Sequence, residues 1–181
     1  VERRLPVSIP PSKQFKSRMG RYHLTDAFLR FYFRFIAPQR DELGFHSDAV
    51  LEVIKKHLRG FVGNTAFEQL SRQWVVHMSQ KRQLAFQVQH VGSHWSQAVQ
   101  VDVVGINWQE KAILLGECKW GKDLVPREIV VDLIETKTPH VLRTLPDEGE
   151  KWSVHYAFFS RRGLTPAAVT LAQEYQAALV D

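Results

Sequence analysis

The chain has a single cysteine, Cys118, so an internal disulfide is excluded, and it has no apolar run near the ~20 residues that a bilayer span requires. Its greasiest stretch, residues 24–36, is interrupted by Arg30 and Arg34. No charged-then-apolar leader opens it, and together with the lone thiol this predicts a reducing, cytoplasmic setting with no membrane partner. A Gly-x-x-x-x-Gly-Lys-Ser/Thr phosphate loop, a dinucleotide-binding glycine fingerprint and a Ser-His-Asp arrangement are all missing, so nothing in this segment announces nucleotide hydrolysis, dinucleotide redox chemistry or serine hydrolysis. There is no internal repeat and no low-complexity tract. The first residue is Val1, not Met, which fits a piece of a longer protein.

What is present suits a folded domain. In 181 residues, 44% of them apolar, roughly two-thirds of the unfolded surface can be buried, which excludes a disordered or collagen-like chain. The charge is uneven. Up to Arg40 there are nine Lys/Arg and two Asp/Glu, a net +7, whereas residues 41–181 carry a net −2. A polyanion would find its footing on Arg3, Arg4, Lys13, Lys16, Arg18 and Arg21; equally, those charges suit a solvated linker.

Residues 1–20 hold Pro6, Pro10, Pro11 and Gly20 with no apolar period and read as a basic extended connector. Residues 21–59 read as a helical extension. Thr25 is placed to cap a helix over 26–37, whose apolar residues go nearly all round and predict burial. Ser47 caps a second helix that Gly60 ends. The remaining 60–181 form the main domain. A helix over 61–77 presents Phe67, Leu70 and Trp74; alternation then predicts strands over 84–91, 97–106 and 111–120, with a turn at 107–110. A helix from Pro126 to about residue 145, a buried strand over 154–159 and a last helix from Thr165, with Val169, Ala172, Tyr175 and Leu179 facing the core, complete an α/β fold: a mixed central sheet flanked by helices.

The informative feature is charge inside the apolar strands. Asp102 lies among valines, and Glu117 and Lys119 follow Ile113-Leu114-Leu115-Gly116. Alternation puts Glu117 and Lys119 on one face and Cys118 on the other. A hairpin centred on the 107–110 turn sets Asp102 opposite Glu117, about 5 Å apart at Cβ. Two carboxylates that close repel, and burying each costs several kcal/mol unless it is neutralised. Lys119 offsets one; a hard divalent cation such as Mg²⁺ suits the remainder. Such a site could polarise a phosphodiester, with Lys119 positioning water or stabilising the developing oxyanion. The bland alternative is a buried ion pair that fixes strand register. Lys122, Arg127 and Lys137 read either as phosphate contacts or as solvated helix faces. His90 and His94 lack the further ligands of a transition-metal site and read as surface loop histidines. Cys118, without a His partner, reads as a small core residue.

Asp102, fourteen intervening residues and Glu117-x-Lys119 resemble the signature of the PD-(D/E)xK nuclease superfamily, with Val101 where the name has proline. The resemblance implies a restriction-endonuclease-like fold and hydrolysis of DNA with Mg²⁺ (or Mn²⁺) on Asp102, Glu117 and a glutamate from a preceding helix. Glu68 sits where that glutamate belongs; on helical geometry alone it reads equally as exposed. Gly20-Arg21-Tyr22-His23-Leu24-Thr25-Asp26-Ala27-Phe28-Leu29-Arg30-Phe31, the segment through Phe67-Glu68, Gly116-Glu117-Cys118-Lys119-Trp120 and Tyr156-Ala157-Phe158-Phe159-Ser160 resemble more closely the C-terminal domain of archaeal and bacterial AAA-type ATPases, domain of unknown function 234. That likeness implies preceding P-loop ATPase and winged-helix domains as partners, and room for an oligomer. The competing expectation is a non-catalytic DNA-binding, assembly or regulatory module of that ATPase, or a protein-partner adaptor.

Overall fold

The computed structural model describes residues 1–181. The first 23 residues do not run free as a connector. Strand β1 (Glu2–Arg4), a short helix α1 (Pro11–Gln14) and strand β2 (Arg21–His23) follow in order, and β1 pairs antiparallel with β2. The segment between is fastened to the body: the Val7 N–H donates to the Ser93 carbonyl, and the Ser8 Oγ lies 2.6 Å from the His94 Nδ1. Local composition could not announce this, because the partners are some 86 residues away.

Asp26, not Thr25, caps helix α2 (Ala27–Phe31), its carboxylate accepting from the Leu29 N–H. The helix continues through a π turn (Tyr32–Ile36) and a 3₁₀ turn (Ala37–Gln39). It is not buried all round as expected. Phe35 is enclosed, with Phe31 and Phe35 meeting Phe61, but Phe28, Leu29 and Phe33 stay exposed because no other element covers that side. Nor does Gly60 end the next helix. Helix α3 (Ser47–Val62) passes through it into a π turn (Gly63–Phe67) and on into helix α4 (Glu68–Gln80). A glycine inside a helix costs only about 1 kcal/mol, too little to stop a helix whose next turns are packed. The same continuity crosses the expected boundary between helical extension and main domain.

Strands β3 (His90–Trp95), β4 (Gln100–Asn107) and β5 (Ala112–Lys119) form an antiparallel meander. Residues 84–89 are not a strand. Leu84, Phe86 and Val88 do face the core, but side chains replace the ladder there: the Ser79 Oγ accepts from the Val88 N–H, and the Asn107 Nδ2 donates to the Gln87 carbonyl. Helix α5 (Arg127–Val131), a π turn (Asp132–Lys137) and helix α6 (Thr138–Leu142) make the crossover that a parallel partner needs, and strand β6 (Ser153–Ser160) then pairs parallel with β5. Helix α7 (Pro166–Glu174), capped by Thr165, is shorter than expected: Tyr175 is half exposed, and Leu179 belongs to strand β7 (Ala178–Val180), parallel to β6. The result is one mixed sheet in the order β3-β4-β5-β6-β7.

Each sheet face has its own core. Ile106, Ile113, Leu115 and Phe158 pack with Val130, Leu133, Val141 and Ala168 from the crossover and last helices. On the other face Val103, Leu114, Ala157 and Phe159 meet Val75 of α4 with Phe67 and Trp74; Leu70, expected on that ridge, is 60% exposed. No helix is long and apolar enough to cross a membrane.

His94 also departs from expectation, being 1% exposed on β3 instead of on a surface loop. Burial lowers its pKa to about 4 from 6.5. The unfolded chain therefore takes up this proton first. The stability His94 confers by staying neutral is complete above pH 6.5 and is lost as pH falls towards 4, amounting to about 3 kcal/mol at most. Urea unfolding at pH 7 and pH 4.5 should show a smaller loss of stability in His94→Asn than in the parent chain; an equal loss would mean that the ring charges in place.

Candidate active site

The charged residues of β4 and β5 collect at one end of the sheet, at the start of β4 and the end of β5. The β4–β5 register is the one the hairpin midpoint requires, Val103 opposite Gly116 and Asn107 opposite Ala112. Its continuation brings Asp102 to Glu117. On the other side of β4 the ladder slips: between the pairs Gly92–Val104 and His94–Val101, the single residue Ser93 faces both Asp102 and Val103. Asp102 thus sits in a β-bulge, a device that re-aims a side chain and is frequent beside active sites. The slip lets Val101 and Val104 share one core while Val103 joins the other. Asp102 is anchored where it lands, its Oδ2 accepting from the Cys118 N–H at 3.0 Å.

Glu117 is 5% exposed and held from two sides. The Lys119 Nζ donates to its Oε1 at 2.6 Å, and the Lys137 Nζ to its Oε2 at 2.8 Å. Alternation along β5 accounts for the first contact. The second comes from the π turn after α5, which places Lys137 under the strand and within 3.6 Å of Asp132 as well. Burial disfavours the Lys137 ammonium, but the hydrogen bond and charge of Glu117 outweigh it, and its pKa is raised. Cys118 points the opposite way, as expected, and burial pushes its thiol pKa up, leaving it protonated and inert.

Glu68 opens α4 directly after the π turn Gly63–Phe67. That turn lies close to the end of β5, and a Cβ on Gly63 would stand 3.0 Å from the Trp120 Cβ. Arg72, one helical turn on, ties Glu68 to the sheet: its Nη1 is 3.4 Å from the Glu68 Oε2 and donates to the Asp102 carbonyl at 2.9 Å. Desolvation first, then the Asp102 charge, push the Glu68 pKa up to about 7. Asp102 is raised too, by desolvation and then by Glu117. These carboxylates hold more negative charge than their neighbours fully relieve.

Asp102, Glu117, Lys119 and Glu68 therefore line one cleft of about 770 Å³. Its walls carry Arg4, Arg21, Arg30, Lys56 and Arg59, so a mostly cationic rim surrounds an acidic floor. The Nε of Arg30 is buried and has no protein partner. Two of the basic residues credited to the N-terminal arm, Arg4 and Arg21, reach this cleft; the others named with them do not line it. The donor set suits a hard divalent ion, which takes one or two carboxylates and completes its shell with water and substrate oxygens. No three His, Cys, Asp or Glu side chains form a self-sufficient metal cage.

Two participants were not legible beforehand. Lys137 was one of three lysines and arginines with no means of ranking them, since a π turn shifts a helical wheel by a residue. Arg72 carried a usable signal, four residues after Glu68 on a helix.

Comparison with known proteins adds lineage and no activity. No solved structure is a significant match. An uncharacterized protein of Methanocaldococcus jannaschii is 30% identical over 131 residues, 71% of this chain, and the chain spans only 28% of that relative's length. Residues 32–131, more than half of the chain and including Glu68, Asp102, Glu117 and Lys119, match the DUF234 family, archaeal and bacterial proteins of unknown function, and the chain belongs to that family.

Proposed function

We propose that the cleft hydrolyses phosphodiester bonds of DNA with Mg²⁺ or Mn²⁺, as a restriction-endonuclease-like domain of the PD-(D/E)xK superfamily. The observation that carries the reading is the meeting of Asp102, Glu117 and Lys119 in an accessible cleft with cationic walls. Asp102 and Glu117, with Glu68 beside them, are the groups that would hold the ion, which when bound supplies charge stabilisation at the phosphoryl oxygens and helps to ionise a water. The chain's own residues do the rest. Arg4, Arg21, Lys56 and Arg59 receive the flanking phosphates. The Cys118 N–H fixes the Asp102 carboxylate. Lys119, 37% exposed at its side chain, faces the cleft and can release Glu117 to orient the water or meet the charge that develops on the phosphate. Lys137 holds Glu117 in place meanwhile.

The same reading makes this chain the C-terminal part of a AAA-type ATPase, following winged-helix and P-loop domains, in the cytoplasm and with room for oligomers. The much greater length of the Methanocaldococcus relative leaves space for those domains. One observation favours the alternative of a non-catalytic DNA-binding or regulatory module: both oxygens of Glu117 are already taken by ammonium groups.

Incubation with single-stranded, duplex and branched DNA plus Mg²⁺ or Mn²⁺ separates the two. Hydrolysis is expected that stops with chelator and in Lys119→Ala. Salt-sensitive binding with no hydrolysis and no calorimetric metal uptake would establish the non-catalytic module instead.

A further inference from the structure

Beside the cleft lies a second groove of about 550 Å³, lined by Lys56, Arg59, Trp120, Lys122 and Arg161 among others, with no carboxylate on its walls. Lys56, Arg59 and Trp120 line both, so one surface passes into the other. Lys55 is partly neutralised by Glu52 at 2.9 Å, but Lys56, Arg59, Lys122 and Arg161 are exposed and make no ion pair. Unopposed cations in a concave surface repel one another and favour a polyanion threaded between them. The Trp120 ring packs on Phe67, centroids 4.8 Å apart, and carries the Arg161 guanidinium 5.1 Å from its centroid. A guanidinium spread on an indole offers an outer flat surface for an unpaired base, whose faces a duplex would hide.

We infer that this groove binds a single-stranded polynucleotide leaving the cleft, with Lys56, Arg59 and Lys122 on the phosphates and Arg161 on Trp120 as the stacking layer. The inference rests on the phosphodiester reading of the cleft for its substrate class. It does not rest on catalysis: binding to the groove requires no hydrolysis.

The test is fluorescence anisotropy on the full chain carrying Asp102→Asn, without metal, across a salt series. The probes are labelled 20-nucleotide DNA and RNA single strands of one sequence, a blunt DNA duplex and a labelled polyglutamate peptide. Lys122→Ala with Arg161→Ala should weaken both single strands at least tenfold and flatten the log–log salt slope by about 0.7, the one phosphate contact of Lys122. The duplex should change less than threefold. Arg161→Lys, which keeps the charge and loses the flat plane, should weaken single strands severalfold and leave the duplex unchanged. Single-strand affinity within twofold of the parent would overturn the inference. So would equal losses for duplex and single strand, or loss of binding to a polyglutamate peptide alone, which would mark the groove as a site for an acidic protein. A difference between the DNA and RNA arms assigns the sugar. Because no cleavage is read, absence of nuclease activity leaves these outcomes intact.

Discussion

Replacing Asp102 by Asn will abolish the proposed hydrolysis and leave a chain that melts higher than the parent at pH 8. The amide oxygen of Asn can still accept from the Cys118 N–H, so the anchor at 3.0 Å survives. What disappears is a charge in a desolvated place, pushed against Glu117. The expected loss of rate is at least about 100- to 1,000-fold, the scale on which a single group aimed at developing charge acts. The stability gain follows from the sign of the pKa shift. A carboxyl whose folded pKa is raised binds its proton more tightly folded than unfolded, so ionising it costs stability as pH rises through that window, and the cost is complete above the folded pKa. Glu68 behaves in the same sense between pH 4.5 and about 7. A rise in Tm of about 2–4 °C at pH 8, corresponding to about 1 kcal/mol in a domain this size, should shrink as pH falls and Asp102 becomes protonated in the parent. An Asn variant that melts lower at pH 8, or that cuts as fast as the parent, would mean that Asp102 is a structural carboxylate already satisfied by its neighbours.

Glu117 should behave in the opposite way. Glu117→Ala strands two ammonium groups. Lys119 can swing to solvent, but Lys137, with a side chain only 17% exposed, cannot escape as easily. Removing one partner of a buried pair costs about 3–5 kcal/mol because the other charge is left uncompensated, whereas replacing both by apolar groups is often neutral. Urea unfolding should therefore show Glu117→Ala losing about 3 kcal/mol, and Glu117→Leu with Lys137→Met recovering most of it. The raised Lys137 pKa adds a second readout. Its contribution is fully present below pH 10.5 and is lost as pH rises through the folded value, so the parent should lose stability above pH 10.5 more steeply than the double variant. If the double variant is as unstable as the single one, the ion pair is not what Glu117 contributes. Taken together, Asp102→Asn and Glu117→Ala separate a carboxylate kept for chemistry from one that also holds the fold.

Much of this site was readable in advance because its signal is local. Carboxylates at Asp102 and Glu117 stand out against valine and leucine, and period-2 alternation sets Lys119 with Glu117 and turns Cys118 away. A tight turn at 107–110 ties the two strands into one register, and that register is the one observed. The strand and helix order also follows from short-range pattern, apart from the N-terminal β1, α1 and β2, the segment 84–89 and the brief strand β7. Glu68 could be nominated but not ranked, since helical geometry alone leaves its carboxylate as well suited to water as to the sheet.

Short-range pattern carries the mixed α/β layering and three of the four nominated site residues, Asp102, Glu117 and Lys119, because strand alternation and a short hairpin act within a few residues. Long-range packing sets the bulge that aims Asp102, the π turns that present Glu68 and Lys137, the burial of His94 against Ser8, and the return of Arg4 and Arg21 to the cleft. Those depend on residues distant along the chain meeting at one place, and on a one-residue slip in a ladder or helix. Composition and periodicity do not record such a slip, because it changes the direction of a side chain without changing the residues around it.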